Sequence, residues 1–543
     1  MQRVLKGVLK GAVWSLAVIG VAAVVVLGVR WLRVVPLYEP IGQCIKGGID
    51  LNDPKPFVQL EPGGTVVGLA ASGGGSRAAY LAAAILREMR ASSARIETGA
   101  TTEPRSLLDQ IDAVSAVSGG ALTAAYFVAY GEQLRSADAD SPTWRSFLDK
   151  MALSYRLRQW YGLALIDPRI WAKYLFTNYH RGILARDDYD ATLFHGATVA
   201  DLPSRPALYL NSFDVANHVR FVFSRHYIDT AFFQPRGYWG MLSAPQDLTS
   251  ENDLTFINVE PKSVGLADAV TASSAFPFAY PNVALNHCGT KILFQGRRIF
   301  LADGALADNS GLVTRLTQLR AALEDTDGPH KVLVIAVDAT LDRLTTEGSR
   351  FQRRGNEDRY AYESTVVGHG VESVESAVAL MQDLGTKFLE GSGVETDQIK
   401  GNWQDSLTKR TGACGPAAKT SWTNLFEDGR LSARPLIIRL GLRDVMNPDF
   451  EGQYVVNLVG KEARFDELLR ANNAVGDSTW PALQQRLETS LAGIDTDFVL
   501  TEKNRHALDL AAYLLVQAKL AGDIAAWNAT VHDATPVTGV SCH

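Results

Sequence analysis

Four short segments, far apart in the chain, carry the groups that acyl-ester chemistry needs. Val114–Gly120 (Val-Ser-Ala-Val-Ser-Gly-Gly) sets the Ser118 hydroxyl among small neighbours, and Ala71–Arg77 holds the run Gly73-Gly74-Gly75. Asp303-Gly304-Ala305 offers a carboxylate, and Ala272–Pro277 (Ala-Ser-Ser-Ala-Phe-Pro) offers an apolar pocket wall. A nucleophile, a base, converging backbone donors and a wall are the parts of a serine hydrolase. The ten histidines are scattered, none falls in the four segments, and no Cys/His spacing suits a metal. The expectation is therefore a two-residue Ser118–Asp303 site with no metal and no cofactor. An ordinary aspartate, with a pKa of about 3.9, is a poor partner for a serine hydroxyl. Such a dyad needs close geometry, desolvation that raises the carboxyl pKa, and strong oxyanion stabilisation.

The flanking residues say how these groups are held. Ile111 to Val117 is apolar enough for a short buried strand, and Ala121–Tyr130 reads as a buried helix. Ser118 then sits on a strand-to-helix turn, where Gly119 and Gly120 permit a strained backbone and close packing. The helix N-terminus favours the negative charge that develops during attack. A helix-capping serine is the competing reading. Thr65–Ala71 reads as a strand and Ser76–Met89 as an Ala-rich helix, joined by the glycine run. Consecutive glycines let N–H groups converge as an anion nest, so Gly73, Gly74 and Gly75 are the expected oxyanion hole. Nucleotide binding is the rival, but no Gly-Lys-Ser/Thr follows, and Ala78 replaces the last glycine of Gly-x-Gly-x-x-Gly. Arg298–Ala302 reads as a strand ending at Asp303-Gly304, which puts the carboxylate at the edge where α/β sheets bind ligands. An ordinary Asp-Gly turn is the alternative.

Together these segments resemble the patatin-like phospholipase family. The likeness rests on the glycine loop with Arg77, the Ser118-Gly119-Gly120 elbow, the Asp303-Gly304-Ala305 turn and the stretch Ala272–Pro281. It spans roughly Thr65 to Thr340, about half the chain. The resemblance implies an α/β layered fold with a central, mostly parallel sheet flanked by helices. It also implies metal-free hydrolysis of lipid acyl esters by a Ser–Asp dyad. Carried over, Ser118 is the nucleophile, Asp303 the base, the amides around Gly74 and Gly75 the oxyanion donors, and Asn309 the asparagine that often follows the base. The departures are Ala116 for the first glycine of Gly-x-Ser-x-Gly, Ala78, and Gly311 where proline is common. Arg77 is expected to pin the loop or to meet an anionic headgroup.

Composition fits a large globular body: 543 residues, 46% hydrophobic, with a net charge of −6 that leaves no basic footprint for nucleic acid. Residues 11–29 are apolar and uncharged, with Arg3, Lys6 and Lys10 before them and Arg30 and Arg33 after. They are expected to form one N-terminal transmembrane helix, with a cleaved signal peptide as rival. The charge balance leans toward an exported body. The expected organisation is an anchor over 1–34, a tether over 35–62, a catalytic domain over 63–340 and a C-terminal extension over 341–543, packed on that domain. Lys331–Asp338 is read as the last strand of the main sheet, and Glu462–Asn473 and Glu502–Leu520 as helices. The aromatic stretch Pro142–Tyr189 is core, a lid or an interfacial segment. Cys44, Cys288, Cys414 and Cys542 allow two disulfides or none. The functional expectation is a membrane-anchored lipid acyl hydrolase whose partners are membrane lipids and the bilayer. An acyltransferase or esterase on another ester, and an inactive scaffold, are the alternatives.

Overall fold

The computed structural model describes residues 64–96, 106–153, 179–215, 219–225, 259–276, 280–286, 298–324, 329–340, 436–447, 449–454, 462–472, 480–492 and 500–532. It also describes the short stretches 20–21, 24–25, 41–44 and 251–253, and single positions among them 155, 170, 177, 431 and 494. A mixed, mostly parallel sheet runs through the molecule. Its strands in chain order are β1 Thr65–Ala71, β2 Ile111–Val117, β3 Ala207–Asp214, β4 Val219–Phe223, β5 Glu251–Asp253, β6 Val283–Asn286, β7 Arg298–Asp303, β8 Lys331–Asp338 and β9 Leu436–Gly441. The spatial order is β5-β4-β3-β2-β1-β8-β9, with β7 paired to β3 and β6 to β7. β3, β2, β1, β8 and β9 run parallel to one another and β5 runs parallel to β4, while β3–β4, β3–β7 and β6–β7 are antiparallel pairs.

The central strands are buried on both faces, and their sequences are mostly apolar rather than alternating, with Asp112 and Ser115 of β2 as buried polar exceptions. On β1, Val67, Leu69 and Ala71 face one cluster while Val66 and Ala70 face another. Helices α1 (Gly75–Ala91) and α2 (Ser118–Ala129) lie in the first layer. Helix α3 (Leu312–Glu324) closes the opposite face through Leu312, Leu316, Leu319 and Leu323. This is the α/β layered architecture expected from the sequence.

Two features of the sheet were not legible beforehand. β8 is not its last strand: β9, beyond residue 340, pairs with β8 in parallel from Leu333↔Leu436 to Asp338↔Gly441. The C-terminal helix Glu502–Tyr513 then packs on α1. Tyr80 and Arg87 of α1 meet Asp509 of that helix at 3.2 Å and 3.3 Å. A boundary at 340 would thus cut through the sheet. The second feature is the junction at β3. Val117 of β2 opposes Asn211, Asp303 of β7 opposes Ser212, and β4 occupies the other edge of β3. β7 therefore takes over the β3 edge where β2 stops. That register alone brings the elbow after Val117 beside Asp303.

Of the aromatic stretch 142–189, Trp144, Phe147 and Tyr179 are fully buried, in line with core packing. Trp160, Tyr161, Trp171, Tyr174 and Phe176 lie outside the described residues. So do most of the apolar run 11–29, most of residues 35–62 and all of 341–430. Among the described residues no helix is long and apolar enough to cross a membrane, and Val21, Val24 and Val25 are exposed. Within the tether, Ile41 pairs with Leu285 and Cys44 with Val259, and Asn286 Nδ2 donates to the Gly42 carbonyl at 2.6 Å.

Candidate active site

Ser118 opens α2 directly after β2, with φ 51°, a left-handed conformation that a non-glycine residue adopts only under constraint. Its neighbours explain why the following residues are glycine. A Cβ on Gly119 would lie 2.0 Å from the Gly75 carbonyl oxygen, and one on Gly120 would lie 2.6 Å from that of Ser72. The elbow is therefore pressed against the glycine loop. Ala116 needs no glycine, because it is an ordinary extended strand residue whose carbonyl accepts a hydrogen bond from Asn211 Nδ2 at 3.0 Å.

The loop itself uses positive φ at Gly74 (135°) and Gly75 (60°) to turn from β1 into α1. Helices α1 and α2 both begin at the site, and neither has a side-chain N-cap. Their dipoles favour an anion at these ends, although the first amide of α2, that of Ser118, already donates to Ser273 Oγ at 3.0 Å. The three expected oxyanion donors are not equivalent. Gly73 N–H donates to the Asn309 carbonyl at 2.9 Å, so it is already engaged. The amides of Gly74 and Gly75 hold no acceptor among the described residues, and they are the open pair. A Cβ on Gly73 would sit 2.3 Å from Asn309 Oδ1 and 3.2 Å from Ser118 Cβ, so glycine is what lets the loop approach both residues.

Arg77 holds two backbone carbonyls from distant segments. It is buried, donating from Nε to the Ala339 carbonyl and from Nη1 to that of Ile494, both at 2.9 Å. These bonds clamp the start of α1 to the residue after β8 and to Ile494.

Asp303 ends β7 and has no exposed surface. Its Oδ1 accepts the Ala305 N–H at 2.8 Å, and its buried Oδ2 has no completed hydrogen bond among the described residues. Burial pushes this carboxyl up to about 7, and the Ala305 N–H and the Ser118 hydroxyl pull it part of the way back. Gly304 is required for close approach, since a Cβ there would lie 2.3 Å from the Asn211 carbonyl oxygen. Gly311, where the family resemblance leads one to expect proline, has φ 66° and donates its N–H to Asp308 Oδ1 at 3.1 Å. Proline allows neither.

Asn211 and Ser273 carry roles the sequence did not reveal. Asn211 Nδ2 donates to Ser115 Oγ at 2.9 Å, and its Oδ1 accepts from Thr314 Oγ1 at 2.5 Å. Arg220 in turn donates to Thr314 Oγ1 at 2.6 Å. No local motif marks Asn211; its position on β3 next to the elbow is visible only in the register. Ser273, within the segment read as a pocket wall, makes polar contacts to the elbow, β3 and the Asp303 turn.

Residues 69–314 match the model of one protein family, described as patatin-like phospholipase. No curated protein matches the chain.

Proposed function

We propose that the patatin-like phospholipase domain of this chain, residues 69–314, is a working serine hydrolase of membrane-lipid acyl esters, with Ser118 as nucleophile and Asp303 as base. The observation that carries this reading is a fully buried carboxyl with one oxygen left open beside the Ser118 hydroxyl. Burial raises the basicity of Asp303 toward neutrality, which offsets the poor match of an ordinary aspartate to a hydroxyl.

In the first step Asp303 Oδ2 takes the Ser118 proton as Oγ attacks the acyl carbonyl. The carbonyl electron pair moves onto oxygen, where the Gly74 and Gly75 amides hold it. Collapse breaks the ester C–O bond, Asp303 returns the proton to the departing alkoxide, and an acyl-serine remains. Water then attacks with Asp303 again as base, releasing the fatty acid and restoring Ser118. The two converging helix N-termini stabilise both oxyanions.

Residues 11–29 serve in this reading as a membrane anchor that keeps the site near its two-dimensional substrate pool. Cys44 is disulfide-bonded, which supports a body in an oxidising compartment outside the cytoplasm. The deciding experiment is fluorophosphonate labelling with a phospholipid panel on wild type and Ser118→Ala. Labelling and fatty-acid release that both vanish in folded Ser118→Ala support the reading. Release that survives the substitution overturns it.

A further inference from the structure

The segment Ala272–Phe276 does more than line a pocket. Ser273, at the end of helix Leu266–Ser273, has no exposed surface. Its Oγ accepts the Ser118 backbone N–H at 3.0 Å and donates to the Asn211 carbonyl at 2.6 Å. Its own carbonyl accepts the Gly304 N–H at 3.2 Å, and the Ala275 carbonyl accepts the Asp303 N–H at 3.0 Å. One buried residue thus touches the nucleophile elbow, the strand β3 that both halves of the site share, and the turn behind the base.

We propose that Ser273 is a positioning residue, a clip that holds Ser118 in its left-handed conformation and in register with Asp303. The inference rests on Ser118 and Asp303 acting as the dyad. The physical case is that Ser118 has no local reason to hold φ 51°. A non-glycine residue stays there only when its surroundings over-determine it. The hydroxyl of Ser273 is suited to this because it accepts from one backbone and donates to another simultaneously, which neither alanine nor glycine does. The Gly304 and Asp303 amides extend the same clip to the base. A shift of either half relative to the other lengthens the Ser118–Asp303 approach, on which proton transfer depends.

The experiment compares wild type, Ser273→Ala and Ser118→Ala by kcat and KM on one phospholipid, by fluorophosphonate labelling rate, and by hydrogen exchange of a peptide spanning the elbow. Folding of each is checked by melting temperature. Ser273→Ala is expected to lower kcat and the labelling rate ten- to a hundredfold. KM should change less than threefold, and the Ser118 amide should exchange at least tenfold faster. Should Ser273→Ala not fold, Ser273→Cys gives the same comparison, because a thiol accepts hydrogen bonds weakly. A folded variant with kcat within twofold of wild type overturns the clip while leaving the dyad intact. Hydrolysis that persists in Ser118→Ala instead overturns the dyad reading, and the clip with it.

Discussion

Asp303→Asn separates the catalytic cost of the buried carboxyl from its cost in stability. The carboxyl is fully buried and its pKa stands at about 7 against an ordinary 3.8. The folded state therefore holds a proton that the unfolded chain has released over this interval, so folding stability falls as pH rises from 3.8 to about 7. At about 1.4 kcal/mol per pH unit, ionised Asp303 costs the folded state on the order of 4 kcal/mol above neutrality. Asparagine keeps an oxygen for the Ala305 N–H, which Oδ1 accepts in wild type at 2.8 Å, and it carries no charge. The variant is expected to be more stable than wild type at pH 8 and equal to it at pH 4. Its turnover should fall by a factor on the order of a thousand, because the base is gone. Urea unfolding of both proteins at pH 4, 6 and 8, beside steady-state rates, measures this. In wild type, kcat/KM should rise through an apparent pKa near 7 as Asp303 ionises. A stability difference that does not change with pH would refute the account of the buried charge. A loss of turnover below tenfold would remove Asp303 as the base.

Three further outcomes follow from particular contacts. Gly311→Pro forces φ 66° to a negative value and removes the N–H that Asp308 accepts; stability should fall by at least about 3 kcal/mol, read by urea midpoint, and a neutral result would refute the turn geometry. Arg77→Met leaves the Ala339 and Ile494 carbonyls without their charged donor; we expect a loss of about 3 kcal/mol and protease sensitivity near residue 494. Cys44 should resist alkylation until a reductant is added, and Cys44→Ser should cost about 2–4 kcal/mol; labelling of Cys44 in the unreduced protein by mass spectrometry would contradict the disulfide.

Much of the scaffold was readable because it is local. Thr65–Ala71, Ile111–Val117 and Lys331–Asp338 form the strands that their apolar runs predict, since a strand buried on both faces needs no partner to announce itself. β9 was missed because the intervening stretch, 341–430, is long and polar, and an apolar run after it gives no sign of which edge it will join. The glycine loop was recognisable as a nest, but the loss of one donor was not. That loss depends on where the Asn309 carbonyl lands, on another segment. Arg77 offers two roles in sequence, and its bonds to two backbone carbonyls, one of them 417 positions away, exist only in the fold.

By itself the sequence determined the chemistry available here. It offers a hydroxyl among small residues, a carboxylate at a strand end and glycines in a row, with no histidine in those segments. Only the tertiary structure decided how those groups meet. The hand-over from β2 to β7 along one edge of β3 places Asp303 beside Ser118 and strips it of water. Residue type fixes what a side chain can do, and burial and neighbours from distant segments fix its pKa and reach. That is why Ser273 reads as a wall residue in the chain and as a clip in the fold.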